Sequence, residues 1–114
     1  MAANFRELIG ELRRAGELVE ISKPVDIRYI ATLVDQSDKA LLFTNVSGYD
    51  MPVISGVVNS RNRIAIAMGC EFAAVEGKVR RGLDRPLDPV TVNAGPVREV
   101  LVEGDDVDLY KLPI

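Results

Sequence analysis

A nearly continuous apolar run in the middle of the chain restricts the fold more than any other feature. Leu41 to Val46 is apolar at four of its six positions and does not alternate with polar residues. Such a run is typical of a strand that is covered on both faces. Leu18, Val19 and Ile21 form an earlier short strand, which Pro24 ends because proline cannot donate to a strand ladder. We therefore expect a sheet with helices packed around it.

A helical pattern separates these two strands. Asp26 is a suitable N-cap, and the apolar stripe that follows consists of Ile27, Ile30, Leu33 and Val34. The order strand, helix, strand predicts two parallel strands joined by a right-handed crossover. A further β-rich run at 52–58 is interrupted by Gly56, which predicts a bulge or a close backbone approach. The expected fold is a single α/β domain, with α+β as the alternative, in which helices flank a small mixed sheet.

Two more helical regions lie outside this unit. Asn4 and Glu7 form an Asn-x-x-Glu box at the start of a first helix, which Gly16 ends. Ser60 is expected to cap a helix that runs to about Met68, and another helix follows Gly69. Both should cover one sheet face, through the apolar sets Ile64, Ala67 and Met68, and Phe72, Val75, Val79 and Leu83.

The last part of the sequence predicts a loop, a strand and an exposed end. Residues 85–96 hold three of the six prolines, which predicts an extended loop. Val97 to Val102 is rich in β-branched residues and predicts a final strand, which the turn at Gly104 ends. Beyond it, Leu109, Leu112 and Ile114 are apolar and are expected to point outward.

Composition limits the functions that this chain can have. The 114 residues are 47% hydrophobic and 27% charged, as in one ordinary folded domain. Histidine is absent, which removes the commonest general base, Ser-His-Asp and Cys-His arrangements and the usual zinc ligands. The net charge of -3 argues against nucleic-acid binding. Without a signal peptide or an apolar run of about 18 residues, no membrane contact and a cytoplasmic location are expected.

Few residues are candidates for a site. Cys70, the single cysteine, is expected to be a small buried residue and not a nucleophile, since no histidine can activate it. Arg61 and Arg63 lie at the start of a helix, where free N–H groups and two guanidinium groups could hold a carboxylate, or could serve the structure alone. They are weak candidates for an anion site. We expect no catalytic, cofactor-binding or metal-binding residue in this segment.

Two other charged groups have both a functional and a structural interpretation. A basic group at the end of the fourth helical pattern could bind a phosphate or be a solvated helix end; it comprises Lys78, Arg80, Arg81 and Arg85. An acidic group could bind a divalent cation or be a solvated connector; it comprises Glu103, Asp105, Asp106 and Asp108. It lacks the spacing of an EF-hand.

Residues 100–114 resemble the segment that joins the N-terminal domain to the central domain in UbiD-like decarboxylases, the enzymes that use prenylated FMN. Three earlier stretches, at 5–24, 40–59 and 60–69, resemble the same family in the same order. The resemblance implies an N-terminal α/β domain at 1–103 and, at 104–114, a connector toward a central flavin-binding domain.

The resemblance also implies what lies elsewhere in the enzyme. The flavin site and the catalytic Glu-Arg-Glu set would lie downstream, so this segment would hold no cofactor. The full-length enzyme would use prenylated FMN with a divalent metal and potassium, and would form a homo-oligomer. Its reaction would be the reversible non-oxidative decarboxylation of an aromatic or α,β-unsaturated acid. The alternative is a free-standing small subunit or adaptor without catalysis, which pairs in trans through Leu109 to Ile114.

Overall fold

A computed structural model describes residues 2–113 of the chain. Four α-helices and three strands occur in this order: α1 Phe5–Arg14, β1 Leu18–Ile21, α2 Ile30–Asp35, β2 Ala40–Phe43, β3 Val53–Ser55, α3 Arg61–Met68 and α4 Val75–Asp84. Single 3-10 turns precede α2 and α4, at Ile27–Tyr29 and Phe72–Ala74. Three more follow α4, at Pro96–Arg98, Gly104–Asp106 and Leu109–Lys111.

The three strands form one mixed sheet in the order β1-β2-β3. β1 and β2 are parallel, with Leu18 opposite Ala40 and Ile21 opposite Phe43. β3 joins the other edge of β2 in antiparallel orientation, with Phe43 opposite Val53. The sheet confirms the α/β class and the parallel pair joined through α2.

The core lies where α2 meets the central strand. Its buried members are Ile30, Leu41, Phe43 and Val46. Phe43, in the apolar run at Leu41 to Val46 that predicts a covered strand, is fully buried. Partly buried apolar residues from β1, β3 and the α2 region pack against this cluster, among them Ile21, Val25, Leu33, Val34 and Val53. The central strand is therefore the most deeply buried of the described elements.

The start of α1 is capped largely as predicted. The Asn4 side chain accepts a hydrogen bond from the Glu7 N–H at 3.0 Å. The Glu7 carboxylate accepts in turn from the N–H of Ala3 at 2.9 Å, one residue earlier than in the predicted box. α1 ends at Arg14, and Gly16 follows with a φ of +72°.

The last two helices differ from the prediction. α3 packs against α1, and α4 packs against α3 and not over the sheet. The buried residues of α3 are Arg63 and Ala65, since Arg63 turns inward to polar partners. In the pattern predicted for α4 only Val75 is buried, whereas Phe72, Val79 and Leu83 are 52%, 46% and 77% exposed. A helix in an outer layer has only one neighbour to bury its stripe.

The predicted strand at Val97 to Val102 is wrong. Its first residues form the 3-10 turn at Pro96–Arg98, and no strand pairs with residues 99–103. β-branched residues favour an extended backbone, but a strand also needs a neighbouring edge, and none is close. We call residues 85–113 the C-terminal arm: it contains neither an α-helix nor a strand, and most of it is exposed. Ile114 lies outside the described residues.

Candidate functional site

The buried guanidinium of Arg63 is the polar centre of the fold. Its side chain is 3% exposed and lies 2.9 Å from the Glu17 carboxylate, which is 27% exposed. Nε donates to the Gly56 carbonyl at 2.9 Å, and Nη1 donates also to the Asp38 carbonyl at 2.7 Å. Nη2 donates to the Asn59 side chain. Four of the five N–H groups that an arginine carries are thus used internally.

Local sequence explains how these acceptors come together. Glu17 precedes β1, Asp38 precedes β2, and Gly56 follows β3, so the acceptors lie at the ends of all three strands. Gly56 has a φ of +79°, and a Cβ there would lie 3.4 Å from both the Ala40 Cα and the Val34 side chain. This confirms the predicted close approach at Gly56 and turns its carbonyl toward α3.

The two predicted anion-site residues do not converge on one point. Arg61 is exposed, and its guanidinium lies 5.4 Å from the centre of the Phe72 ring, which is cation–π distance. Arg63 points inward and is surrounded by its four acceptors. The geometry assigns Arg63 to the structural interpretation and leaves Arg61 at the surface, where it shares a hollow with Arg80.

No local pattern in the sequence identifies the partner of Arg63. Glu17 lies 46 residues before Arg63 in the chain. The nearby Glu20 pairs instead at the surface, with Arg13 at 3.0 Å. The contact between Glu17 and Arg63 depends on the packing of α3 beside α1. A local sequence pattern cannot predict that packing.

The basic group at α4 is partly occupied by neighbouring protein atoms. The ammonium of Lys78 donates to the Met68 carbonyl and so caps the C-terminal end of α3. Arg80 pairs with Glu76 one turn away at 3.3 Å. In the acidic group, Asp108 accepts from the N–H of Tyr110 at 3.0 Å and caps a 3-10 turn. These contacts match the structural interpretation of both groups.

One carboxyl group has a shifted pKa. The Asp26 side chain accepts from Nε and Nη2 of Arg28, at 2.9 and 2.7 Å, and from the Arg28 backbone N–H at 2.9 Å. The hydrogen bonds from the Arg28 side chain, followed by that from its backbone, lower the pKa of Asp26 to about 2. Asp26 caps the turn before α2, as predicted. Its role is to fix the entry to that helix.

Metal ions and flavin phosphates each need a particular set of converging side chains. Within residues 2–113, no three His, Cys, Asp or Glu side chains gather as a metal site. A flavin phosphate needs convergent donors, but Arg63 is surrounded by protein acceptors. Arg80 lines the same hollow as Arg61 and is paired with Glu76. Arg61 and Arg63 therefore do not form a phosphate-binding pair. In the same range, no helix has the length and apolar character needed to cross a membrane.

An apolar hollow of the surface lies beside the C-terminal arm. It has a volume of about 460 Å³ and is open to solvent. Met51 lines one side, and the arm lines the other with Val102, Val107, Leu109 and Leu112. Asp106, Asp108 and Lys111 complete the lining. The hollow can receive an apolar side chain.

A family comparison decides what kind of domain this is. Residues 9–79 match the 3-octaprenyl-4-hydroxybenzoate carboxy-lyase N-terminal domain. The chain belongs to this family. It is a UbiD-type N-terminal domain, as the resemblance in its sequence indicated.

Solved structures agree with this assignment. An evolved dimeric form of the UbiD-class enzyme HmfF from Pelotomaculum thermopropionicum, in complex with prFMN, is 33% identical over 96% of this chain, with a TM-score of 0.86. HmfF from the same organism in complex with FMN is 30% identical over 96%, with a TM-score of 0.84. The apo 3,4-dihydroxybenzoic acid decarboxylase AroY from Klebsiella pneumoniae is 25% identical over 76%, with a TM-score of 0.67.

These relatives are much longer than this chain. The match covers 27%, 26% and 21% of their respective lengths. The UbiD-type N-terminal domain therefore corresponds to between about a fifth and a quarter of each solved protein.

Proposed function

We propose that this UbiD-type domain is the non-catalytic N-terminal part of an enzyme that reversibly decarboxylates an aromatic or α,β-unsaturated acid without oxidation. The observation that carries the proposal is the likeness, over 96% of this chain, to a UbiD-class enzyme in complex with prFMN. AroY supports the reaction class, because it is a decarboxylase of an aromatic acid. The family description names a carboxy-lyase as well.

In this proposal the domain acts by folding and by orienting the rest of the enzyme. Arg63 ties the ends of the three strands to α3, which makes the domain a stiff support. Residues 104–114 form the connector to the central domain, and 1–103 precede it. Prenylated FMN, a divalent metal and potassium are bound by the central and C-terminal parts, where the cofactor supplies the chemistry. The whole enzyme is a cytoplasmic homo-oligomer.

The second candidate function is that of a free-standing adaptor that pairs in trans. Leu109 and Tyr110 favour it, since they are 64% and 94% exposed and offer an apolar contact. In that case a separate chain would supply the flavin and the reaction. The two candidates differ in whether one polypeptide carries both parts.

The test compares the 114-residue chain with the polypeptide of the complete reading frame. The long polypeptide, produced with prenylated FMN, should release CO2 from cinnamic or hydroxybenzoic acids. The 114-residue chain should stay colourless, should not alter the flavin spectrum on titration with FMN, and should release no CO2. Saturable flavin binding by the short chain at micromolar concentration would contradict the assignment of the site to other domains. A reading frame that ends at Ile114 would favour the adaptor.

A further inference from the structure

The UbiD-type domain exposes far more surface than a compact protein of its size. Its accessible surface is 9192 Å² for a mass of 12.5 kDa, whereas a compact monomer of that mass exposes about 6,200 Å². The radius of gyration is 16.9 Å, compared with about 13 Å for a compact domain of this length. The excess of about 3,000 Å² is as large as a stable protein interface.

The C-terminal arm accounts for much of this excess. Its apolar side chains are exposed, with Leu87 at 94%, Val97 at 90% and Val100 at 80%. The other large apolar side chains of the arm that are at least half exposed are Val90, Val92, Leu101, Val102, Val107, Leu109 and Tyr110. Single exposed apolar residues are normal, but a row of ten along one segment marks a contact surface.

The arm also carries the excess negative charge of the chain. It contains six acidic and three basic residues, a net charge of -3, which equals the net charge of the whole chain. Residues 1–84 are therefore balanced. Four of the six acidic residues lie within 103–108. A partner surface that covers the arm would be apolar, with basic side chains opposite this short stretch.

A solved relative contains an equivalent of most of the arm. The match to HmfF with prFMN covers 96% of this chain, which leaves out far fewer residues than the arm contains. Most of the arm thus follows a path that also occurs in a protein of which this match is only 27%. An extended segment that makes few contacts with its own domain keeps a defined conformation when it packs against another part of the protein. In the relative, most of the polypeptide is available for that role.

We propose that residues 85–113 are a docking strap that lies along the remaining domains of the same enzyme polypeptide, on an apolar surface with basic residues facing 103–108. The inference rests on the proposed function and extends the contact surface upstream from the connector to Arg85. A second copy of the chain is a poorer occupant, because two arms side by side would place acidic stretches of like charge together.

Hydrogen–deuterium exchange of the arm amides tests this proposal. In the 114-residue chain at low concentration, peptides from 87–103 should exchange at the rate of an unstructured chain. In the polypeptide of the complete reading frame they should exchange at least about tenfold more slowly, because docking must open before exchange. The substitution Leu101→Asp should remove most of that protection in the long polypeptide. Val58→Asp, at a residue that is 75% exposed outside the arm, is the matched control and should leave protection intact.

Several experimental results would contradict the proposal that the arm is a docking strap. Protection of the arm in the dilute short chain would show that its own domain holds it. Protection that grows with the concentration of the short chain would assign the arm to a second copy, and a reading frame ending at Ile114 would remove the proposed occupant. Unprotected arm amides in the long polypeptide would also refute the strap. Protection and CO2 release are separate measurements, so a protected arm in a polypeptide without decarboxylase activity would refute the proposed function and keep the strap.

Discussion

The guanidinium of Arg63 and the carboxylate of Glu17 lie 2.9 Å apart although 46 residues separate them in the chain. Arg63 is almost fully buried, whereas Glu17 keeps a partly exposed edge. The pair joins α3 to the start of β1, and the same guanidinium reaches the ends of β2 and β3. Removing charge or shape at Arg63 should therefore affect the whole fold.

Arg63→Lys should destabilise the domain by about 3 kcal/mol or more. A lysine retains the charge, but one ammonium group cannot reach four acceptors, and each charge-assisted hydrogen bond contributes about 1.5–3 kcal/mol. Arg61→Lys is the matched control, since it makes the same exchange at an exposed position of the same helix and should cost no more than about 0.5 kcal/mol. Urea unfolding measures both. Equal midpoints for the two variants would contradict the central role of Arg63.

The sequence predicted the parts of this fold that depend on local patterns. The Asn4 cap, the parallel pair around α2, the buried Phe43 and the close approach at Gly56 each follow from a few neighbouring residues. The prediction of a strand at Val97 to Val102 was wrong, because a strand is defined by its pairing partner and not by its composition alone. The sequence identifies Arg63 as a charged residue, but it cannot predict that the side chain is buried. The burial depends on hydrogen-bond acceptors from three distant segments.

Phe43→Ala should destabilise the domain by about 3–5 kcal/mol, the usual cost of a large cavity in a core. Phe43 is fully buried in the central strand. The same substitution at Phe72, which is 52% exposed, is the control and should cost about 1 kcal/mol or less. Chemical denaturation gives both free energies. A loss below about 1 kcal/mol at Phe43 would refute its place at the centre of the core.

Gly56→Ala should destabilise more than Gly48→Ala. Both glycines have positive φ values, +79° and +85°, so each alanine meets backbone strain of about 1–2 kcal/mol. Only at Gly56 would the new Cβ also meet other atoms, the Ala40 Cα and the Val34 side chain at 3.4 Å, the near limit of van der Waals contact, since Gly48 faces open space. The difference between the two urea midpoints isolates this contact. Equal midpoints would show that the packing around Gly56 accepts a Cβ without cost.

Asp26 should titrate well below an ordinary aspartate. Its pKa is lowered to about 2 from 3.8 by the hydrogen bonds from Arg28. Because the folded pKa lies below the unfolded value, the stabilisation from Asp26 is present above about pH 4 and is lost as the pH falls toward 2. Carboxyl carbon NMR should give a midpoint near 2, and Arg28→Ala should return it toward 3.8. A midpoint already near the ordinary value in the unmodified chain would show that the Arg28 contact does not persist in solution.

Deleting residues 108–114 should leave the melting temperature of the dilute short chain almost unchanged. Leu109 is 64% exposed and Tyr110 is 94% exposed, so the deletion removes little from the core of the domain. The exposed apolar surface can instead drive weak self-association, which the deletion should reduce in sedimentation at high concentration. A substitution in the same segment that keeps its apolar residues, Lys111→Gln, is the control and should leave both readouts as they are. A fall of several degrees in the melting temperature at low concentration would mean that the end of the arm packs on its own domain, through the hollow beside Met51.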